Sequence, residues 1–385
     1  MKTKNKPALA LASVLLSAAI LLPAAIPLRA ADAAKEDASP ITWHDAAQWK
    51  PGGRAWDDTP TPFSRLPQRA QGKVTKAVWR LSRDSAGLVF YFRTNAPKIH
   101  TRHAVASDRL AMPHMTATGA SGLDLYARDA AGAWRWAGAT RPKDKLHEQA
   151  ILSGATPEMR DYMLYLPLYN GTASLEIGVP GGCVLEPLAP PAAKPVVYYG
   201  TSIAQGCSAS RPGMAVPAIL GRKLGLPVIN LGFSGSGKME PAMAELVAEL
   251  DAAVFVLDCL PNMSSLPAPE IIKRTENCIR VIRKKHPATP ILLMEDRGYT
   301  NAWIVPGLLR KNETARAALR SVYEKLTAEG MAGITYVPGA LLLGDDDEAT
   351  IDGSHPTDLG LQRQAETLLP LLRQALKNAT VPRNP

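Results

Sequence analysis

The chain has 385 residues, 46% of them hydrophobic and 21% charged, with 44 Lys and Arg against 35 Asp and Glu. That is the composition of a globular protein long enough for two domains, without the charge runs or low-complexity repeats that keep a chain unfolded. The net charge of +9 is not gathered into a Lys/Arg stripe interleaved with aromatics, so nucleic acid is not an expected partner.

Lys2, Lys4 and Lys6 precede an apolar, Ala- and Leu-rich run from Ala8 to Leu28, and Ala31-Asp32-Ala33 follows as a small-residue cleavage sequence. The pattern is that of a secretory signal peptide over residues 1–33. A retained membrane anchor is the rival, because the run is long enough to span a bilayer. Pro23, Pro27 and the small-residue exit favour cleavage. The expected mature chain is periplasmic or extracellular, carries a net charge of about +6, and has no stable membrane insertion.

Residues 41–185 read as β-rich. Runs at 74–80, 88–93, 123–128, 163–168 and 173–179 carry β-branched or aromatic residues and are separated by turn residues. Short strands so punctuated predict a sandwich or jelly roll. Trp43, Trp49, Trp56, Trp79, Trp134 and Trp136 all lie here; most are expected in the core, with a minority free to line a sugar-binding face. His100 and His103 would point to opposite faces of a strand, and with His114 beyond them no carboxylate or cysteine completes a set at ligand spacing. No metal and no cofactor is expected. The Pro- and Ala-rich stretch 186–195 reads as a linker.

From 196 to 380 strands and helices alternate. Strands are expected at 196–199, 228–231, 254–257, 291–294 and 334–337, and helices at 214–224, 241–250, 270–285, 312–328 and 358–376. Such βα units imply a doubly wound parallel sheet with helices on both faces. Of the four cysteines, Cys183, Cys207, Cys259 and Cys278, none forms a C-x-x-C, and four allow three pairings. Disulfides and free buried thiols are equal alternatives.

Four clusters fall in predicted turns: Gly200-Thr201-Ser202, Asn230 to Gly235, Asp258 to Asn262, and Asp352-Gly353-Ser354-His355. In a parallel sheet the strand carboxyl ends share one edge, so residues distant in sequence converge there. A serine hydroxyl is a weak nucleophile and needs a base. His355, oriented by Asp352 three residues earlier, supplies one. The alternative is a plain turn with an exposed His355. The Ser202 N–H, the Gly235 N–H and the Asn262 amide are candidate donors to an oxyanion.

These residues resemble the SGNH, or GDSL-type, hydrolase family. That family carries its nucleophile in a Gly-Asp-Ser-like block, a Gly and an Asn in two middle blocks, and Asp-x-x-His near the C-terminus. The matching positions are Ser202, Gly235, Asn262, Asp352 and His355, over roughly residues 195–380. Thr201 stands where Asp is usual, the third block reads Pro261-Asn262-Met263, and Gly232 competes with Gly235 as the donor. Gly122-Leu123-Asp124-Leu125-Tyr126 is similar to the G-x-D-L-Y signature of a β-rich module that precedes exported SGNH domains. The resemblance implies a flavodoxin-like catalytic domain behind a β-sandwich, a Ser202–His355–Asp352 triad and an oxyanion hole of Ser202, Gly235 and Asn262.

Two decoys are set aside. Gly232 to Lys238 fits G-x-x-x-x-G-K, but Met239 follows where a phosphate loop has Ser or Thr. Glu295-Asp296-Arg297 offers paired carboxylates and is expected to be an ion-paired structural turn. The expected activity is an exported serine esterase acting on O-acetyl groups of a carbohydrate, with an acylated small molecule or polysaccharide as partner. A lysophospholipase- or thioesterase-like hydrolase, an acyltransferase, and a glycan-binding protein with a vestigial hydrolase domain are the alternatives.

Overall fold

The structure is a computed structural model and describes residues 39–380; the expected signal peptide lies outside the described residues. Nine strands build the first part: β1 Ile41–Asp45, β2 Val89–Thr94, β3 Lys98–Val105, β4 Asp124–Arg128, β5 Trp134–Ala139, β6 Leu146–Ser153, β7 Arg160–Tyr165, β8 Thr172–Pro180 and β9 Leu185–Leu188. Period-two alternation is visible in β3, where every second residue is buried. The strands form two antiparallel sheets, ordered β1-β8-β3-β6 and β5-β4-β7-β2-β9. Phe90, Phe92, Leu125 and Leu164 of one sheet meet Ile99, Leu175, Ile177 and Val179 of the other in a shared core. This is the expected sandwich.

Two local expectations are corrected. The stretch 74–80 is not a strand: Lys76–Leu81 is a helix, capped by Thr75, whose hydroxyl accepts from the Val78 N–H at 3.2 Å. Its buried residues Val78 and Leu81 stand three apart on one helical face, which decides against alternation. The stretch 186–195 is not wholly a linker, because β9 pairs antiparallel with β2 and places Pro187 opposite Phe92. β9 is an edge strand, where a residue without an N–H is tolerated.

The second part is a five-stranded parallel sheet: β10 Val196–Gly200, β11 Val228–Gly232, β12 Val254–Asp258, β13 Ile291–Met294 and β14 Ile334–Val337, in the order β11-β10-β12-β13-β14. This is the flavodoxin-like order. β10 and β12 are buried along their whole length because helices cover both faces. Helices Pro241–Val247, Ala268–Lys285 and Pro306–Ala328 pack on one face, and Val216–Leu224 and Asp358–Thr380 on the other. β10 pairs with β11 on one side and β12 on the other, so the chain direction switches at its carboxyl end. Open α/β sheets bind ligands at that crevice. Among the described residues no helix is long and apolar enough to cross a membrane.

The G-x-D-L-Y stretch joins the two parts. Asp124 is fully buried and accepts from Arg211 Nη1 at 2.8 Å, the Gly213 N–H at 2.7 Å and Trp136 Nε1 at 3.0 Å. The Arg222 guanidinium lies 4.1 Å from the centre of the Tyr126 ring. The motif therefore anchors the 211–213 segment downstream of Ser202.

Candidate active site

β10 ends at Gly200, where an added Cβ would sit 2.7 Å from the Ala204 Cβ and 3.0 Å from the Asp258 carbonyl. Only glycine allows the chain to turn there at once into the short helix Ser202–Gln205. Thr201 caps that helix, its hydroxyl accepting from the Ile203 N–H at 3.3 Å. Gly206 closes it at a φ of 109°. Ser202 is thus held at the first helical position, where its own N–H has no intrahelical acceptor.

His355 arrives from the turn before helix Asp358–Thr380. Asp352 Oδ1 accepts from the Ser354 and His355 N–H groups at 3.0 and 2.7 Å, and Gly353 takes a φ of 86°. The second carboxylate oxygen meets His355 Nδ1 at 2.7 Å, and His355 Nε2 lies 2.9 Å from Ser202 Oγ. With Nδ1 donating to the carboxylate, the assigned tautomer leaves the Nε2 lone pair facing the serine hydroxyl. Against a desolvation penalty, the His355 N–H and ring and the Ser354 N–H hold the Asp352 carboxyl below its usual range. The Cys207 sulfur, opposed by burial and aided by Asp352, raises His355 to about 9.

The two glycines have different surroundings. Gly232 N–H is taken by Asn230 Oδ1 at 2.8 Å, and a Cβ there would lie 2.1 Å from the Gln205 N. Gly232 is a close-packing position. Gly235 is exposed, has a φ of 66°, and faces open space. The N–H groups of Ser236 and Gly237 turn back to the Phe233 carbonyl at 2.9 Å, while that of Gly235 has no acceptor among the described residues. Asn262 lies in the short helix Leu260–Met263 after β12. Its carboxamide oxygen accepts from the Ser236 and Gly237 N–H groups at 3.1 and 3.2 Å. Rotated by half a turn, the amide would face two donors with a donor, and would keep only the Phe233 carbonyl at 3.3 Å, so the first orientation is the satisfied one. Its NH2 group then faces acceptors in place of donors.

Residues from the β-rich part hold this turn. Arg65 is 2% exposed and donates to the Gly232 carbonyl at 2.7 Å, the Asn230 carbonyl at 3.2 Å and the Leu81 carbonyl at 2.6 Å. Burial lowers this guanidinium to about 10, with Asp84 opposing the shift. Gln205 Nε2 donates to Asp84 Oδ2 at 3.0 Å, and its oxygen accepts from the Ser234 N–H at 3.0 Å. Tyr169 donates to the Ser202 carbonyl at 3.2 Å. His114 lies beside the site, with its ring centre 5.6 Å from that of His355 and its Nε2 3.1 Å from Cys207 Sγ. Sequence reasoning missed Arg65, Gln205 and Tyr169, because partners such as Arg65 and Gly232 are separated by 167 positions and no local spacing marks them.

The remaining expectations divide. All four cysteines are free, with Cys259 and Cys278 in the hydrophobic core. Ser234 and Ser236 belong to the turn at Gly235. Glu295, Asp296 and Arg297 form structural contacts, but Arg297 does not pair with its neighbours. It binds Asp258 in a bidentate pair at 2.7 and 2.5 Å, with both side chains fully buried. Glu295 accepts from Arg320, Tyr336 and the Gly339 N–H, and Asp296 from Asn312. Thr300 donates its N–H to the Gly353 carbonyl at 2.9 Å, so the segment bearing Trp303, 76% exposed, borders the Asp352 turn.

Comparison with known proteins accords with this architecture. The model of the GDSL-like lipase/acylhydrolase family matches residues 193–373, and that of the GxDLY N-terminus of SGNH hydrolase-type esterases matches residues 41–185. A structure assigned to the GDSL-like lipases, from Bacteroides ovatus, is 35% identical, with a TM-score of 0.83 over 88% of this chain and 98% of that one. The chain belongs to the GDSL-like lipase/acylhydrolase family. As a family member it is a hydrolase of ester bonds. Two more distant structures share the fold. A salicylyl-acyltransferase from a tetracycline biosynthetic pathway is 21% identical, with a TM-score of 0.65 over 86% of this chain and 94% of its own. A family two carbohydrate esterase from Cellvibrio japonicus is 11% identical, with a TM-score of 0.57 over 88% and 99%. No protein of curated function matches the chain significantly.

Proposed function

We propose that this GDSL-like hydrolase is an exported serine esterase that removes O-acetyl groups from a carbohydrate. The observation that carries the reading is the hydrogen-bonded series Asp352–His355–Ser202, which ends on a serine beside an open, glycine-bearing turn. Ser202 Oγ attacks the ester carbonyl carbon while its proton passes to His355 Nε2. Asp352 stabilises the imidazolium as it forms. The negative oxygen is met by the N–H groups of Ser202 and Gly235 and by the Asn262 amide. Collapse breaks the ester C–O bond, and the imidazolium returns the proton to the leaving sugar oxygen. Water, deprotonated by the same nitrogen, then releases acetate from the acyl-serine.

The substrate class draws support from the family's carbohydrate esterase folds, the exposed Trp303 beside the Asp352 turn and the leader expected at residues 1–33. An exposed indole offers the flat apolar face that a pyranose ring packs against. The test is acetate release from acetylated xylan and p-nitrophenyl acetate by wild type and Ser202→Ala. The variant should lose at least about 10³-fold in turnover. Undiminished turnover rejects the assignment of Ser202. A strong preference for long acyl chains rejects deacetylation, and transfer to an added alcohol in preference to water points to the acyltransferase alternative.

A further inference from the structure

Esterase chemistry uses neither His114 nor Cys207, yet both converge on His355. One donor atom from each of His114, Cys207 and His355 lies within 4.8 Å of the other two. His114 comes from the loop between β3 and β4, Cys207 from the turn after the Ser202 helix, and His355 from the turn before the last helix, so the fold assembles the set. We propose that these three side chains form a site for a thiophilic divalent cation such as Zn²⁺, and that its occupancy reversibly arrests the esterase.

Two imidazoles and a thiolate are ligands that zinc prefers. His114 Nε2 and Cys207 Sγ are already 3.1 Å apart. Tetrahedral zinc, with bonds of about 2.1 Å to nitrogen and 2.3 Å to sulfur, needs donors roughly 3.3–3.8 Å apart. Small ring movements reach that spacing. The orientation of His355 is already that of a zinc-ligating histidine: Asp352 holds Nδ1 at 2.7 Å and leaves Nε2 to bind. A carboxylate behind the imidazole fixes such a ligand and strengthens it. Ser202 Oγ, 2.9 Å from that nitrogen, or a water can take the fourth position. Cys259 and Cys278, buried in the core, have no such surroundings.

Metal binding takes the Cys207 sulfur as thiolate and His355 Nε2 without a proton, so protons leave the site as the metal enters. It also engages the Nε2 lone pair that otherwise takes the Ser202 proton, and that is the cause of arrest. A chelator that removes the metal restores both. The inhibitory half of the proposal rests on the esterase reading; the binding half does not.

The experiment uses the purified full chain with Zn²⁺ alone, titrated against a chromophoric chelator, and Co²⁺ as a spectroscopic probe. One zinc per chain is expected, with a thiolate-to-cobalt absorption band that Cys207→Ala abolishes. Losing a residue that merely supports a metal ligand typically weakens a site about 10–100-fold, so loss of a ligand itself in Cys207→Ala, His114→Ala or His114→Gln should weaken zinc binding at least about tenfold. Hydrolysis of p-nitrophenyl acetate by wild type should fall with zinc and recover with EDTA, and each variant's zinc response is read against its own metal-free rate. Ser202→Ala should bind zinc; if that variant also hydrolyses ester undiminished, the assignment of Ser202 as nucleophile fails while the site stands. Zinc affinity unchanged in both Cys207→Ala and His114→Gln, or no cobalt–thiolate band, overturns the site.

Discussion

Arg297→Met tests what supports the strand that leads into Ser202. The side chains of Arg297 and Asp258 are both 0% exposed and meet in a bidentate pair at 2.7 and 2.5 Å. Arg297 Nε also donates to Gln364 Oε1 at 2.9 Å, Gln364 Nε2 donates to the Tyr198 hydroxyl at 3.0 Å, and that hydroxyl donates to Asp258 Oδ2 at 3.0 Å. The four side chains close a ring between β10, β12, the loop after β13 and the last helix. Methionine fills most of the arginine's volume but leaves the Asp258 carboxylate with the Tyr198 hydroxyl as its side-chain partner among the described residues. Breaking one side of a buried pair costs about 3–5 kcal/mol, because the surviving charge has neither water nor counterion. Urea unfolding followed by fluorescence of the seven tryptophans measures the loss. Asp258→Asn and the double variant complete a cycle. The double variant should be more stable than the sum of the single losses by about 2 kcal/mol, within the range found for side chains in one network. Turnover of p-nitrophenyl acetate should also fall in Arg297→Met, since Tyr198 lies four residues before Ser202. A loss below about 1 kcal/mol, or losses that add within about 0.5 kcal/mol, would refute the reasoning.

Asn262→Ala should lower kcat by about 10²–10³ with little change in KM, the usual effect of removing one oxyanion donor; steady-state kinetics with p-nitrophenyl acetate decide it. The two glycines should separate sharply. Gly232→Ala forces a Cβ to 2.1 Å from the Gln205 backbone and should give little folded protein, whereas Gly235→Ala meets open space and should keep its activity within a few-fold. Its positive φ costs about 1–2 kcal/mol, to be seen in urea unfolding. Asp84 supplies a pH test. Burial, opposed by Arg65 and Gln205, raises its carboxyl to about 6 from 3.8, so the folded chain holds this proton more tightly than the unfolded one. Its contribution to stability is therefore full below about pH 4 and is lost as pH rises to about 6, by up to about 3 kcal/mol. Asp84→Asn should gain stability relative to wild type across that window, and parallel stability–pH curves would count against the shift.

Much of the fold was legible because local pattern determines it. Apolar runs bounded by turn residues located β10 to β14 to within a residue or two, and strict alternation of strand and helix forced the parallel sheet. The misreadings share a cause. At 74–80 the β-branched Val74 and Val78 suggest a strand, while the helical spacing of Val78 and Leu81 and the Thr75 cap make a helix. At 186–195 prolines marked a linker, yet an edge position lets Pro187 join a sheet. Sequence shows Arg297 only its neighbouring carboxylates, while its partner Asp258 stands at the end of β12.

The chemistry of each candidate residue was written in short segments: a glycine-bounded serine, an Asp-x-x-His turn, an asparagine after a strand. The sequence by itself determined which groups can nucleate, accept or donate, because those are properties of single side chains and of turns a few residues long. The tertiary structure alone decided what surrounds them. It set Ser202 Oγ 2.9 Å from His355 Nε2, left Gly235 open and Gly232 closed, and seated Arg65 from the β-rich part, together with Gln205, against the Asn230–Gly235 segment. It also brought His114 and Cys207 to the same imidazole, which no spacing in the sequence announces. The physical reason is that sheet order and packing fix distances between residues far apart in the chain, and a linear pattern carries only the local part of that information.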